Sequence, residues 1–190
     1  MKHLISVKGN IEEGSNISNF NEVLKIIKDQ LADDGWQFFE NNLRKNSLVS
    51  FKKEKKKVWL LLKKISWANR NDEGEFRIQI PDSVLAEVKI DNSKKLLSLS
   101  PQDNEFFMPL GFYHDEGKVL IFMTFSPSLI SKTAKNRSYY VSLGSLAKSI
   151  VQGYAYFYDA VSEEKLCFSE KNLSFVINNF KKIETYEKFI

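Results

Sequence analysis

Apolar side chains recur at helical spacing near each end of the chain. The first pattern predicts an α-helix from about residue 19 to residue 33, with Ser18 as its N-cap and an Asp-Asp-Gly cluster at its end. The second pattern predicts a helix that begins at about Lys171. The two apolar faces consist of Phe20, Val23, Leu24, Ile27 and Leu31, and of Leu173, Val176, Ile177, Phe180 and Ile183. Faces of this kind are typical of helices that pack on a core.

Between the two predicted helices, the pattern is that of short β-strands. Residues 75–80 alternate between apolar and polar side chains, and residues 108–125 form the clearest predicted hairpin, with its turn at 114–117. Residues 58–62 are typical of a buried strand, whereas residues 36–45 fit either a short helix or a strand. A short helix capped by Ser145 and seven to nine strands complete the prediction. Because the long crossover helices of a parallel sheet are missing, we expect a mainly β, strongly bent barrel with a helix at each end.

The composition is that of a globular protein with a substantial core. The chain has 190 residues, of which 43% are hydrophobic and 13% aromatic, and this is enough for one domain with a terminal appendage. Cys167 is the only cysteine, so a disulfide framework is excluded and a reducing compartment is favoured. No signal peptide and no apolar run of roughly 18 residues are present, so we expect a soluble, cytoplasmic protein without a membrane partner.

Positive charge is concentrated in two segments. Residues 41–71 hold ten basic residues and one acid, Glu54, and residues 117–158 hold five basic residues and no acid. The chain carries +4 in total, so the remainder sums to −10. This distribution indicates a single cationic face that meets a polyanion. The alternative is that these lysines only solvate strand edges and prevent aggregation.

Both basic segments contain a polar loop with side chains that suit duplex DNA. The major groove of B-DNA admits a pair of loops, and there Arg pairs with guanine, Asn with adenine, and Ser or Thr with either base. We expect the two loops to project from the same side, and the lysine-rich turn at 52–57 to contact phosphates. The first loop offers Lys63, Lys64, Trp67, Asn69, Arg70 and Asn71; the second offers Ser131, Lys132, Thr133, Lys135, Asn136, Arg137, Ser138 and Tyr139; the phosphate contacts are Lys52, Lys53, Lys55, Lys56 and Lys57. Packing roles remain open for Trp67 and Tyr139.

Catalytic motifs are sparse. Asp82, Glu87 and Lys89 match the parts of a metal-dependent PD-ExK nuclease, but four residues between the two halves are too few for neighbouring strands and a turn. Two histidines and one cysteine do not complete a zinc site, and His114 is expected to be exposed in its turn. No phosphate-binding glycine loop occurs. We therefore expect no catalysis and no cofactor, with the nuclease kept as an alternative.

Three segments in order, FRIQIP, LGFYHDEGKVLIFMTF and SKTAKNRSYYVS, resemble the B-three-type DNA-binding domains of restriction enzymes. More narrowly, the chain resembles the N-terminal domain of LlaJI-type, McrB-like restriction subunits. The resemblance covers residues 47–169 and implies a seven-stranded open pseudobarrel with a helix at each end. It assigns residues 66–74 to an N-arm and residues 126–138 to a C-arm, and both arms would enter the major groove.

The resemblance also implies the domain boundaries of the chain and its binding partners. Residues 1–46 would be a helical extension packed on the barrel, 47–169 the DNA-binding pseudobarrel, and 170–190 a helix that connects to the next domain. Its partners would be double-stranded DNA, an AAA+ GTPase domain of the same subunit and a separate nuclease subunit. A further alternative is a protein-interaction module that uses the faces of the terminal helices.

Overall fold

A computed structural model describes residues 3–5, 8–13, 19–41, 47–68, 75–80, 104–115, 119–131, 137–158 and 164–180. The strands are β1 (His3–Ile5), β2 (Ile11–Glu13), β3 (Gln37–Asn41), β4 (Leu48–Lys53), β5 (Lys56–Trp67), β6 (Glu75–Ile80), β7 (Glu105–Asp115), β8 (Val119–Phe125), β9 (Arg137–Ser142), β10 (Tyr154–Tyr158) and β11 (Glu164–Ser169). The helices are α1 (Phe20–Asp33), α2 (Ser128–Ser131), α3 (Leu143–Gln152) and α4 (Leu173–Asn178), and a 3-10 turn (Glu170–Asn172) precedes α4. The prediction of a mainly β fold with a helix near each end is confirmed.

The strands form one large sheet with the order β10-β11-β8-β7-β5-β4-β3. Neighbours along this path are antiparallel except β5 and β7, which run parallel from Lys57 beside Glu105 to Lys64 beside Phe112. The last three residues of β5 pair with β6, and β6 pairs with β9. In addition, β1 and β2 form a separate two-stranded sheet.

The large sheet is open, as the predicted pseudobarrel is, but among the described residues it has nine strands rather than seven. Among the described strands, β3 and β10 end the path and do not pair with each other. The reason lies in β5, which is long enough to pair with β4 along its first half and with β6 at its end. The antiparallel β6–β9 pair packs over one face instead, where Ile78 lies against Gly111 so closely that an added Cβ would overlap it.

Both faces of the large sheet are buried, and each belongs to its own core. Along β5, Val58, Leu60 and Leu62 point to one face, and Trp59 and Leu61 point to the other. The first face packs under α1 and α4. The second packs under the β6–β9 pair, α2 and α3. Burial on both faces explains why the sequence of β5 and β8 is a run of apolar residues without alternation.

The terminal helices bury the predicted apolar faces. Val23, Leu24, Ile27 and Leu31 of α1 are buried, as are Leu173, Val176, Ile177 and Phe180 at the C-terminal end, while Ile183 lies outside the described residues. The predicted N-cap was wrong, because Asn19 caps α1: its Oδ1 accepts a hydrogen bond from the N–H of Asn21 at 3.0 Å. Gly35, with a φ of 79°, follows the end of the helix.

Four local predictions concern single strands and helix caps. Within the segment 36–45, which fitted either a helix or a strand, residues 37–41 form β3. The predicted hairpin at 108–125 is confirmed as β7 and β8. The exposed position predicted for His114 was wrong, because β7 extends beyond it. His114 pairs with Leu120, is 1% exposed, and places Nε2 at 3.7 Å from Oε1 of Glu22 on α1. Ser142 rather than Ser145 caps α3, since its Oγ accepts the N–H of Ser145 at 3.1 Å.

Cys167 is fully buried on β11. Burial raises the pKa of its thiol well above the ordinary value, because a thiolate would lose its hydration there. Within the described ranges, no helix is long and apolar enough to cross a membrane.

Candidate nucleic-acid interface

The lysine-rich turn forms a tight hairpin between β4 and β5, which we call the basic hairpin (52–57). Its two strands place Lys52 opposite Lys57 and Lys53 opposite Lys56. Glu54 and Lys55 form the turn, and Glu54 adopts a positive φ of 53°. Like charges directly opposite each other destabilise an antiparallel ladder. Two such pairs in succession therefore lower the stability of this part of the sheet.

The five lysines of the basic hairpin differ in how freely they can meet a ligand. Lys52, Lys55 and Lys56 are exposed, whereas Lys53 and Lys57 are partly buried. Nζ of Lys57 lies 3.8 Å from Oε1 of Glu105 and 3.9 Å from the ring centroid of Trp59. The same carboxylate oxygen accepts a hydrogen bond from the indole N–H of Trp59 at 2.7 Å. The charge of Lys57 is thus partly balanced, whereas the side chains of Lys52, Lys55 and Lys56 are exposed.

The first predicted loop is shorter than its sequence suggests, because β5 continues to Trp67. Trp67 is half-buried and packs edge-to-face on Phe76 at 5.3 Å, which is the packing role left open by the sequence. Lys64 is exposed, and Lys63 donates a hydrogen bond to Oγ of Ser47 at 3.3 Å. The remaining members of this loop, Asn69, Arg70 and Asn71, lie outside the described residues.

The second predicted loop is supported by a buried aromatic pair at its base. The ring of Tyr139 stacks on Phe125 at 4.1 Å, and its hydroxyl donates to the carbonyl oxygen of Leu129 at 3.4 Å. Tyr139 is 3% exposed, so its prediction as a DNA contact is corrected: it supports the loop from within the core. Ser131 ends α2, Arg137 opens β9 and Ser138 lies next to it on the same strand. Lys132, Thr133, Lys135 and Asn136 lie outside the described residues.

The strands from which the two loops arise place them at opposite ends of β6. The first loop leads into Glu75, which pairs with Ser142, and the second leads into Arg137, which pairs with Ile80. Five steps of about 3.3 Å along β6 separate these two points by about 16 Å. The described residues at which the two loops end thus lie at opposite ends of the β6–β9 ladder, while loop residues 69–74 and 132–136 lie outside the described ranges.

The base of the second loop lies near the middle of β5 and at neither of its ends. Met123 of β8 pairs with Gly111 of β7, so Phe125 at the end of β8 is level with Pro109, which pairs with Leu61 of β5. Leu61 is about 16 Å from Lys56 and about 20 Å from Trp67 at the rise of an extended strand. The described backbone therefore does not place the base of the second loop closer to the basic hairpin than to the end of β5.

Metal chemistry finds no support in the part of the chain that the structure describes. No group of three or more His, Cys, Asp or Glu side chains there could hold a metal ion. The residues of the nuclease alternative, Asp82, Glu87 and Lys89, lie outside the described ranges.

Comparison with known proteins identifies the family of the chain. A family model described as Methylase-associated X1 matches residues 56–177, which is more than half of the chain, and the protein belongs to this family. The match runs from the start of β5 into α4 and includes both predicted loops. The chain is accordingly a restriction-modification-associated module. No curated protein and no solved structure matches it.

Proposed function

We propose that the chain is a double-stranded DNA-binding module of a restriction-modification system, without catalysis of its own. The observation that carries the proposal is the basic hairpin, where five lysines within six residues lie on two paired strands and their turn. Such a density of positive charge costs stability in a monomer and is compensated when phosphates lie against it. Membership in a methylase-associated family supports the biological setting.

In this proposal, the basic hairpin and the second loop divide the contacts with DNA between them. Lys52, Lys55 and Lys56 contact phosphates and fix the position of the duplex. The second loop, with Lys132, Thr133, Lys135, Asn136 and Arg137, reads base edges in the major groove. A duplex that also meets Asn69, Arg70 and Asn71 lies along β5 and spans about one helical turn, since a turn of B-DNA measures about 34 Å.

The more specific form of the proposal rests on the sequence resemblance to B-three-type domains. In that form the chain recognises one site in the major groove and belongs to an LlaJI-type, McrB-like, GTP-dependent system. An AAA+ GTPase domain of the same subunit and a separate nuclease subunit supply the motor and the cleavage.

The decisive experiment measures duplex binding across a salt series. We expect the triple variant Lys52→Ala, Lys55→Ala, Lys56→Ala to bind random duplex more weakly, and the slope of log K against log salt to fall by roughly one for each lost phosphate contact. Fluorescence anisotropy with a labelled duplex provides the measurement.

The matched control for this experiment is Lys171→Ala. Lys171 is an exposed lysine in the 3-10 turn before α4, remote in sequence from the basic hairpin. The Lys171→Ala variant should leave both the affinity for duplex DNA and the slope of log K against log salt unchanged. Absence of duplex binding by the wild-type chain even at low salt would refute the proposal, and an equal loss in the control would remove the assignment to the basic hairpin.

A further inference from the structure

Two adjacent phenylalanines on the end strand β3 remain exposed although the large sheet buries most of its aromatic residues. Phe38 is 39% exposed and Phe39 is 58% exposed. They neither belong to the two cores nor take part in the predicted loops. An exposed aromatic pair on an end strand favours aggregation unless a partner or charged neighbours cover it.

A β-bulge is responsible for the position of Phe39. Phe38 pairs with Phe51 and Glu40 pairs with Ser50, so Phe39 is the extra residue between them. Phe38 is anchored, because its ring packs edge-to-face on Phe51 at 5.6 Å and lies 3.8 Å from Nζ of Lys28. Bulges redirect side chains and are common beside functional sites. Here the bulge turns one ring outward while its neighbour holds the strand in place.

Lysines of the basic hairpin surround the exposed ring. Nζ of Lys57 lies 4.9 Å and Nζ of Lys52 lies 5.8 Å from the ring centroid of Phe39. Lys57 is itself held in place by Trp59 and by Glu105. The ring of Phe39 thus lies beside two lysine side chains, and the residue is 58% exposed.

We propose that Phe39, flanked by Lys52 and Lys57, is a stacking platform for an unpaired base of single-stranded DNA. Proteins that bind single strands combine lysines that follow the phosphates with aromatic rings on which bases stack. A duplex offers only its groove edges and phosphates, so the ring has no role in the duplex contacts proposed above. The platform shares lysines of the basic hairpin with those contacts, but it recognises a different chemical feature and is tested separately.

Charge complementarity favours an unpaired nucleotide at Phe39 over a second copy of the chain or an apolar protein surface. A second copy of the chain docked at β3 would place its Lys52 and Lys57 against Lys52 and Lys57 of the first copy. An apolar protein surface would offer these two lysines no negative charge. An unpaired nucleotide satisfies both requirements, because its base covers the ring and its phosphate meets the lysines. Among the described strands, β3 ends the path and pairs only with β4.

Two single-stranded oligonucleotides that differ only in their bases separate the contribution of base stacking from that of charge. The first probe is a labelled oligothymidine of about ten nucleotides, and the second has the same backbone with abasic sites in place of the bases. We expect the wild-type chain to prefer the thymidine probe about tenfold, and Phe39→Ala to lose this preference while its affinity for the abasic probe stays unchanged. Phe39→Trp should retain the preference, and Lys52→Ala should weaken both probes.

Phe175→Ala is the matched control, because Phe175 is a comparably exposed aromatic (56%) on α4. This variant should keep the preference of the wild-type chain for the thymidine probe over the abasic probe. Equal affinity of the wild-type chain for both probes, equal losses in the two Phe→Ala variants, or binding only to anionic lipid vesicles would each overturn the platform.

The same measurements distinguish failure of the platform from failure of the proposed function. Duplex binding that persists while the wild-type chain shows no preference for thymidine would remove the platform and keep the duplex-binding function. Binding of oligothymidine that depends on Phe39, without any duplex binding, would remove the duplex-binding function and keep the platform.

Discussion

At the scale of single residues, the least replaceable position in the described core is Gly111. It lies on β7 where β6 crosses the sheet, and a Cβ at this position would overlap the Cγ1 and Cδ1 atoms of Ile78. The neighbouring side chain of Ile65 leaves little room for Ile78 to move. Glycine is required here for close approach between two layers rather than for backbone freedom.

Gly111→Ala should therefore lower the free energy of unfolding by about 1–3 kcal/mol through overpacking. Ile78→Val, which removes the Cδ1 methyl group, should recover part of this loss in the double variant. Gly144→Ala is the control, because its added Cβ has only ordinary contact with Ser142 and lies within α3. Urea denaturation of these variants and the wild type measures the effect; additive losses in the double variant would contradict the proposed overlap.

At the scale of elements, the basic hairpin shows a conflict between stability and binding. Its cross-strand pairs Lys53–Lys56 and Lys52–Lys57 place like charges opposite each other, and its turn sets Glu54 at a positive φ that side chains rarely adopt. A hairpin selected for stability alone would hold threonine or opposite charges at these positions. The basic hairpin therefore costs the sheet stability, and a bound polyanion would relieve the repulsion between its lysines.

Lys56→Thr should raise the free energy of unfolding by about 0.2–1 kcal/mol, because it removes one like-charge pair and adds a β-branched residue. The same change should weaken duplex binding. Lys64→Thr serves as the stability control, since Lys64 is exposed and its neighbour on β7 is Phe112 rather than a lysine. Thermal unfolding combined with anisotropy tests both effects. Loss of stability in Lys56→Thr beyond that in Lys64→Thr would show that the pair is not strained.

At the scale of the whole molecule, the C-terminal helix belongs to the core of the sheet. Leu173, Val176, Ile177 and Phe180 are each 3% exposed or less, and Phe180 stacks on Phe106 of β7 at 5.9 Å. Helix α1 covers the same face from the other end of the chain. The sheet thus depends on both terminal helices for the burial of one side.

Truncation after Ser169 should consequently abolish cooperative unfolding, because it exposes the apolar face that α4 covers. A chain that ends at residue 180 retains these contacts and is the control. Far-UV circular dichroism during heating, together with binding of a hydrophobic dye, distinguishes the two outcomes. A cooperative transition in the shorter chain at an unchanged temperature would show that α4 is dispensable.

The sequence by itself determined the local elements and the charge. The spacing of Val23, Ile27 and Leu31 sets the buried face of α1, and the alternation of Phe76, Ile78 and Ile80 sets that of β6, because side-chain periodicity depends only on local backbone geometry. The concentration of lysines at 52–57 was equally visible, since charge is a property of composition.

Only the tertiary structure decided which segments meet. The parallel pairing of β5 with β7, the bulge that exposes Phe39 and the burial of Tyr139 and His114 all depend on contacts between residues far apart in the chain. The anchors of the two loops depend on them too, because register and strand order place Glu75 and Arg137, at which the loops end, at opposite ends of the β6–β9 ladder. Such pairings follow from packing and loop closure across the whole chain, and local patterns carry no information about them.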